Sequence, residues 1–299
     1  MRTIAIIVLA TVPPLQAQPF QLKKNDVVTF LGGTNMVHLQ RSGHLEAILT
    51  DAFRSAMPKF RDLSWEADTV FRQGTVIERW RTVGFGQRLA QLKRVGTTVI
   101  LAQFGKLESL AGIKKLQTFI QGYERLITEC QKVAHSVVLI SPTPFEKPTN
   151  PLVPNLSAHN DDLAKYVKAI KAIATRRKLK FVDLFTNAQP NQTSNGMHIK
   201  TSCHQQIASA IAKQLGIKTG NSNLEHLRSA VVEKHRLWYD YWRPANWKLL
   251  YGDDSRRVFT RGGKNYIPFR DEWKKLLPRI AKAERRAWII ANGGKDPGQ

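Results

Sequence analysis

Two short stretches of this chain carry residue types that could do chemistry together. The first is Phe30-Leu31-Gly32-Gly33-Thr34-Asn35, an apolar run that ends in a tight turn just ahead of a helical pattern. A hydroxyl on such a turn suits a nucleophile, because the N–H groups of a helix start can stabilise an oxyanion. Thr34 is that hydroxyl, and a Gly-Gly turn followed by Thr equally describes an ordinary helix cap. The stretch has no Gly-Lys-Ser/Thr ending and is therefore not a phosphate loop. The second is Asn195-Gly196-Met197-His198, where an imidazole stands three residues after a side chain able to hydrogen-bond it. That spacing suits a general base with an orienting partner, or a surface histidine. Between them lie Asp68, Lys106 and Glu108. Their spacings are too generic for a metal site, and Lys106 with Glu108 also reads as a surface ion pair.

The elements that must position these residues alternate. Val27–Leu31, Lys59–Trp65, Thr97–Phe104, Val137–Ile140 and Phe181–Phe185 read as strands. Helical spacing links Leu45, Ile48, Leu49 and Phe53, then Phe85–Val95, then Ile113 to Ile127. It recurs from Leu163 to Ile173, capped by Ser157 or Asn160, and over His204–Leu215. Five strand-then-helix units imply a parallel sheet covered on both faces, with ligands beyond the carboxyl ends of the strands. From about Asn221 the pattern changes to an amphipathic helix over Leu224–Trp242, a Gly- and Arg-rich stretch over Tyr251–Tyr266, and a second helix over Arg270–Ile290.

Residues 25–216 resemble the SGNH (GDSL-type) hydrolases in block order and spacing. Phe30-Leu31-Gly32-Gly33-Thr34 is similar to the first block, usually Gly-Asp-Ser. Asp62 to Val70 is similar to the second, with Ala67 where Gly usually stands. Phe104-Gly105-Lys106-Leu107-Glu108-Ser109 is similar to the third, usually Gly-x-Asn-Asp/Glu. Asn195-Gly196-Met197-His198 is similar to the last, usually Asp-x-x-His. The resemblance implies a flavodoxin-like three-layer α/β fold with a five-stranded parallel sheet. It also implies ester hydrolysis on lipids, acetylated sugars or similar small acyl substrates, with neither metal nor organic cofactor. Thr34, His198 and Asn195 would then hold the catalytic positions, and Gly33, Ala67 and Leu107 the oxyanion positions.

Only His198 is unchanged from the family pattern. Threonine can attack, though its methyl crowds the approach. Ala67 keeps its N–H and fails only where φ > 0 is required. Leu107 has no donor, and losing one oxyanion donor costs about 10²–10³ in rate. Asn195 cannot compensate an imidazolium, and the equivalent change in a serine protease costs roughly 10⁴. Two functions follow: an esterase in which Thr34 attacks and His198 is the base, or a non-catalytic descendant that binds an acyl or sugar ligand or an anionic polymer. The changed blocks weigh toward lost catalysis.

The 299 residues hold 46 Lys and Arg against 23 Asp and Glu, a net charge of +23 that points to an acidic partner or surface. With 42% apolar residues the chain is not disordered. Residues 1–17 read as an export signal, with Arg2 ahead of a short apolar run and a small residue at Ala17. The expected organisation is therefore a signal peptide over 1–17, a hydrolase-like domain over 18–220 and a basic, aromatic-rich helical extension over 221–299. No stretch is long and apolar enough for a membrane span. In an exported protein Cys130 and Cys203 could pair, or remain separately buried thiols. The extension interleaves Arg and Lys with Trp238, Trp242, Trp247, Trp273 and Trp288. This pattern suits sulfated or uronic-acid polysaccharide better than nucleic acid outside the cell, or simple packing of the extension onto the sheet. Trp242-Arg243-Pro244-Ala245-Asn246 also resembles a helical extension that follows this domain in some relatives.

Overall fold

The computed structural model describes residues 19–71, 87–218, 224–243, 257–266 and 273–298. The signal-peptide expectation and the first two residues of the expected helix over 85–95 lie outside these. Five strands, β1 (Val27–Gly32), β2 (Lys59–Asp62), β3 (Val99–Gln103), β4 (Ser136–Ile140) and β5 (Lys180–Val182), form one parallel sheet in the order β2-β1-β3-β4-β5. This is the α/β architecture expected, because β-branched and apolar runs buried on both faces favour central parallel strands.

Alternation along the strands divides the core. Val28, Phe30, Val99, Leu101, Val138 and Ile140 face a cluster that includes α1 (Thr34–Ser42), α2 (His44–Ala52) and α7 (His204–Gln214). Ile100, Ala102, Val137 and Leu139 face the opposite cluster, with α5 (Leu116–Cys130) and α6 (Asn160–Arg176). Two shorter helices, α3 (Arg88–Arg94) and α4 (Lys106–Ser109), flank β3 in sequence. Cys130 packs in the second cluster and Cys203 against the first, so both are free thiols on opposite sides of the sheet.

The strand ends differ from expectation for local reasons. β2 stops at Asp62, whose carboxylate turns back to accept the Ser64 N–H and hydroxyl. β5 stops at Val182, because the Asp183 carboxylate accepts the N–H groups of Phe185 and Thr186 in a tight turn. Neither Ser157 nor Asn160 caps α6. Asn160 is its first residue, and its amide bonds Phe145 N–H and C=O instead. In the extension, α8 (Leu224–Trp242) and α9 (Leu276–Ala291) enclose a feature not expected there. This is a hairpin of β6 (Phe259–Arg261) and β7 (Lys264–Tyr266), joined by Gly262-Gly263 with φ of 59° and 74°. Two consecutive positive φ values are what a two-residue hairpin turn demands.

The extension covers the exposed edge of β2. Trp238 Nε1 donates to Asp62 O at 2.9 Å, and Trp288 Nε1 donates to Pro58 O at 3.0 Å. Leu237, Trp238, Trp242, Ile280 and Ala283 enter the second sheet cluster. An edge strand left open would offer unpaired backbone groups, and here a helix pair shields it.

Candidate functional site

The carboxyl ends of β1 and β3, with the loop after β2 and the loop before α7, surround a cavity of about 240 Å³. Gly33 and Thr34 line it from the start of α1, and Ala67 and Asp68 from the loop after β2. Lys106, Leu107 and Glu108 line it from α4, and His198 from the last loop. The eight are thus brought together. Asn195, the ninth candidate, stands behind His198 and bonds its ring.

Gly32 makes the first wall possible. A Cβ there would lie 2.7 Å from Gln103 O, so the strand end can approach β3 only without a side chain. Gly33 is the N-cap of α1 and Thr34 its first residue, with no side-chain cap bond, so the cap reading of Thr34 does not hold. Thr34 Oγ1 instead accepts the Ala67 N–H at 3.2 Å. Ala67 has φ of 57°, the left-handed conformation that favours glycine and costs an alanine about 1 kcal/mol. The glycine usual at this block position therefore has a backbone reason, and this chain retains the conformation without it.

Lys106 and Glu108 are both buried, and each has its own partners, which removes the surface-ion-pair reading. Glu108 accepts the N–H groups of Val70 and Gly105 at 2.9 Å each. Burial raises its pKa, with those N–H groups opposing. Lys106 Nζ donates to Met197 O at 2.8 Å, Pro144 O at 3.1 Å and Thr143 Oγ1 at 3.2 Å. Burial pushes this amine down to about 7, and the charge of the Glu146 carboxylate opposes the shift. Asp68 is held by Arg88 Nη2 at 3.3 Å. Leu107 contributes an apolar side chain where the family pattern has a donor.

The histidine loop is held from three directions. Asn35 donates from Nδ2 to Met197 O at 3.2 Å and accepts the Ile199 N–H on Oδ1 at 3.0 Å, bracketing His198. Lys106 holds the same Met197 carbonyl. Glu146 accepts the N–H groups of Gln192 and Thr193. Its burial would raise its pKa, but these bonds and the Thr193 hydroxyl bring it below the usual carboxylate value. Asn35 and Glu146 carry no spacing signal, because their partners lie far along the chain or in an irregular loop.

Asn195 decides the state of the imidazole. Its Oδ1 accepts the backbone N–H groups of Met197 at 3.2 Å and His198 at 2.8 Å, which fixes the oxygen side of the amide. The NH₂ side therefore faces His198 Nδ1 at 3.3 Å and donates to it. A neutral His198 then carries its proton on Nε2. Burial lowers the His198 pKa, and the charges of His38 and Lys106 lower it further. The His38 ring packs edge-on against His198, with centroids 5.8 Å apart. The cavity thus presents an Nε2–H donor and a threonine hydroxyl whose oxygen already accepts one N–H. Among the described residues, no group of three or more His, Cys, Asp or Glu could hold a metal ion, and no helix could cross a membrane.

No family model and no curated protein matches the sequence. Solved structures do resemble the fold. A gut microbial diltiazem-metabolizing enzyme superimposes with a TM-score of 0.53 at 15% identity, covering 67% of this chain and 49% of its own. The chain therefore spans about half the length of that neighbour. A catalytic mutant of an acetylxylan esterase from Geobacillus stearothermophilus gives 0.50 at 13% identity, covering 68% of this chain and all of its own. An acetyl-xylooligosaccharide esterase mutant from the same organism gives 0.50 at 13% identity, with the same coverage. With the parallel five-stranded sheet, these neighbours show an SGNH hydrolase-like α/β fold.

Proposed function

We propose that this chain binds a small ester or acetylated carbohydrate in the cavity and has lost efficient hydrolysis of it. The observation that carries this reading is the Asn195 amide, whose donor side engages His198 Nδ1. General-base catalysis needs a free lone pair on Nε2, and that nitrogen holds the proton instead. The apolar Leu107 and the crowded Thr34 act in the same direction. The cavity itself is kept, with hydrogen-bond donors from Thr34 and His198 at its wall, and this suits a carbonyl-bearing ligand.

The test is turnover of p-nitrophenyl acetate by the purified chain and by His198→Ala. Equal, near-background rates are expected, together with saturable binding of an acetylated xylooligosaccharide. A rate that collapses in His198→Ala would establish working hydrolysis and overturn the loss. A second reading, binding of an anionic polysaccharide, is favoured by the outward face of α9, where Arg279, Lys282 and Arg285 are exposed. Export of the chain, suggested by residues 1–17, would bring it to such polymers.

A further inference from the structure

The left-handed conformation of Ala67 persists only where its surroundings hold it. The residue before it, Glu66, is gripped from two sides. Its Oε1 accepts from Arg41 Nη2 at 2.9 Å, on α1, and its Oε2 accepts from Arg243 Nη1 at 3.1 Å, at the end of α8. The Arg243 side chain is only 6% exposed. Its guanidinium lies 4.8 Å from the Trp65 ring centroid and 5.3 Å from that of Tyr239, and the Arg41 guanidinium covers the same Tyr239 ring at 4.6 Å. A second Arg243 nitrogen faces the Asp62 carboxylate at 3.7 Å, and Trp238 holds the Asp62 carbonyl. Both ends of the loop from Asp62 to Glu66 are therefore fixed by residues of the C-terminal extension.

We infer that Arg243 is a positioning residue for the cavity: acting through Glu66, it holds the Ala67 N–H on Thr34 Oγ1, so the C-terminal extension is part of the site. The inference rests on reading this cavity as a ligand site, and it adds an apparatus outside the sheet domain. Charge-assisted bonds to a partly desolvated carboxylate are stronger than neutral ones, and Arg243 is stacked so that little side-chain freedom remains to be lost. Loss of the grip would let Ala67 relax from its strained φ and withdraw the N–H from the cavity wall.

Amide hydrogen exchange on the full chain tests this directly. In Glu66→Gln and in Arg243→Met, exchange of the Ala67 amide should accelerate about tenfold relative to the Val99 amide in β3, because local opening is separated from global unfolding by that ratio. An unchanged ratio in Glu66→Gln, whose half-exposed side chain makes a folded variant secure, overturns the inference even where Arg243→Met does not fold. In an Asn195→Asp background, Glu66→Gln should also lower kcat for p-nitrophenyl acetate with KM unmoved, the mark of a donor used in the transition state. Where Leu107 and Thr34 keep that background inactive, the exchange ratio decides the role of Arg243: acceleration supports it and an unchanged ratio overturns it.

Discussion

At position 195 a single side-chain group faces the Nδ1 edge of His198. With an aspartate at position 195, both carboxyl oxygens could only accept, and His198 would have to place its proton on Nδ1. Asn195→Asp should therefore move the neutral tautomer from Nε2–H to Nδ1–H and raise the His198 pKa, both visible in imidazole ¹⁵N shifts. Persistence of Nε2–H in that variant would show that the cavity, not residue 195, sets the proton. Adding Thr34→Ser and Leu107→Asn should then lift p-nitrophenyl acetate turnover by about 10² or more, since a lost donor alone accounts for that much. A folded triple variant with no gain would mean the cavity has been reshaped for another use. At this scale the sequence was legible where chemistry is local. The three-residue spacing from Asn195 to His198 carries its own geometry, and the Gly-Gly-Thr turn announces itself. Burial of Lys106 and the bracket made by Asn35 were not legible, because both depend on Met197, a carbonyl that no side-chain type reveals.

Helices α2 and α8 are joined by a buried ionic group that their amphipathic patterns conceal. Lys234 Nζ lies 2.5 Å from one Glu46 oxygen, and His235 Nε2 lies 2.7 Å from the other, with all three side chains at most 5% exposed. Burial alone would raise the Glu46 pKa, but Lys234 and His235 outweigh it and lower the value to about 2. The native state thus releases this proton more readily than the unfolded chain does. The resulting stability is complete above the ordinary carboxylate value and is lost as pH falls toward 2. Urea unfolding should show a midpoint that falls as pH drops below about 4.5, with the fall in that range reduced in Glu46→Gln. Lys234→Met, which strands the carboxylate in the interior, should cost about 3–5 kcal/mol at pH 7. An unshifted midpoint would show that the cluster contributes nothing to docking. The strands were legible from their β-branched runs, because a buried parallel strand needs little else. Their ends were not, since Asp62 and Asp183 stop them through turns that depend on side-chain oxygens.

Across the whole molecule, the net charge of +23 sets up a field that attracts polyanions at low salt. The sequence pattern suggested that the extension either packs on the sheet or adds a binding surface, and the two prove compatible. Its tryptophans Trp238 and Trp242 are buried, while Lys274, Lys275, Arg279, Lys282 and Arg285 face outward. Because α8 and α9 contribute to the sheet's own core, cutting the extension away would expose that core, and charge reversal is the cleaner probe. Arg279→Glu, Lys282→Glu and Arg285→Glu together should elute from a heparin column at clearly lower salt than the unaltered chain. Exposed lysines elsewhere, Lys132, Lys168 and Lys171, supply a control with the same change in net charge. If α9 is a binding surface, its reversal should shift elution further than the control. Contacts made within a Debye length of about 10 Å at 0.1 M salt depend on where charge sits, whereas the diffuse field depends mainly on the total. Equal shifts would reduce the basic surplus to a general property of the surface and leave the extension with its two structural tasks, shielding β2 and holding Glu66.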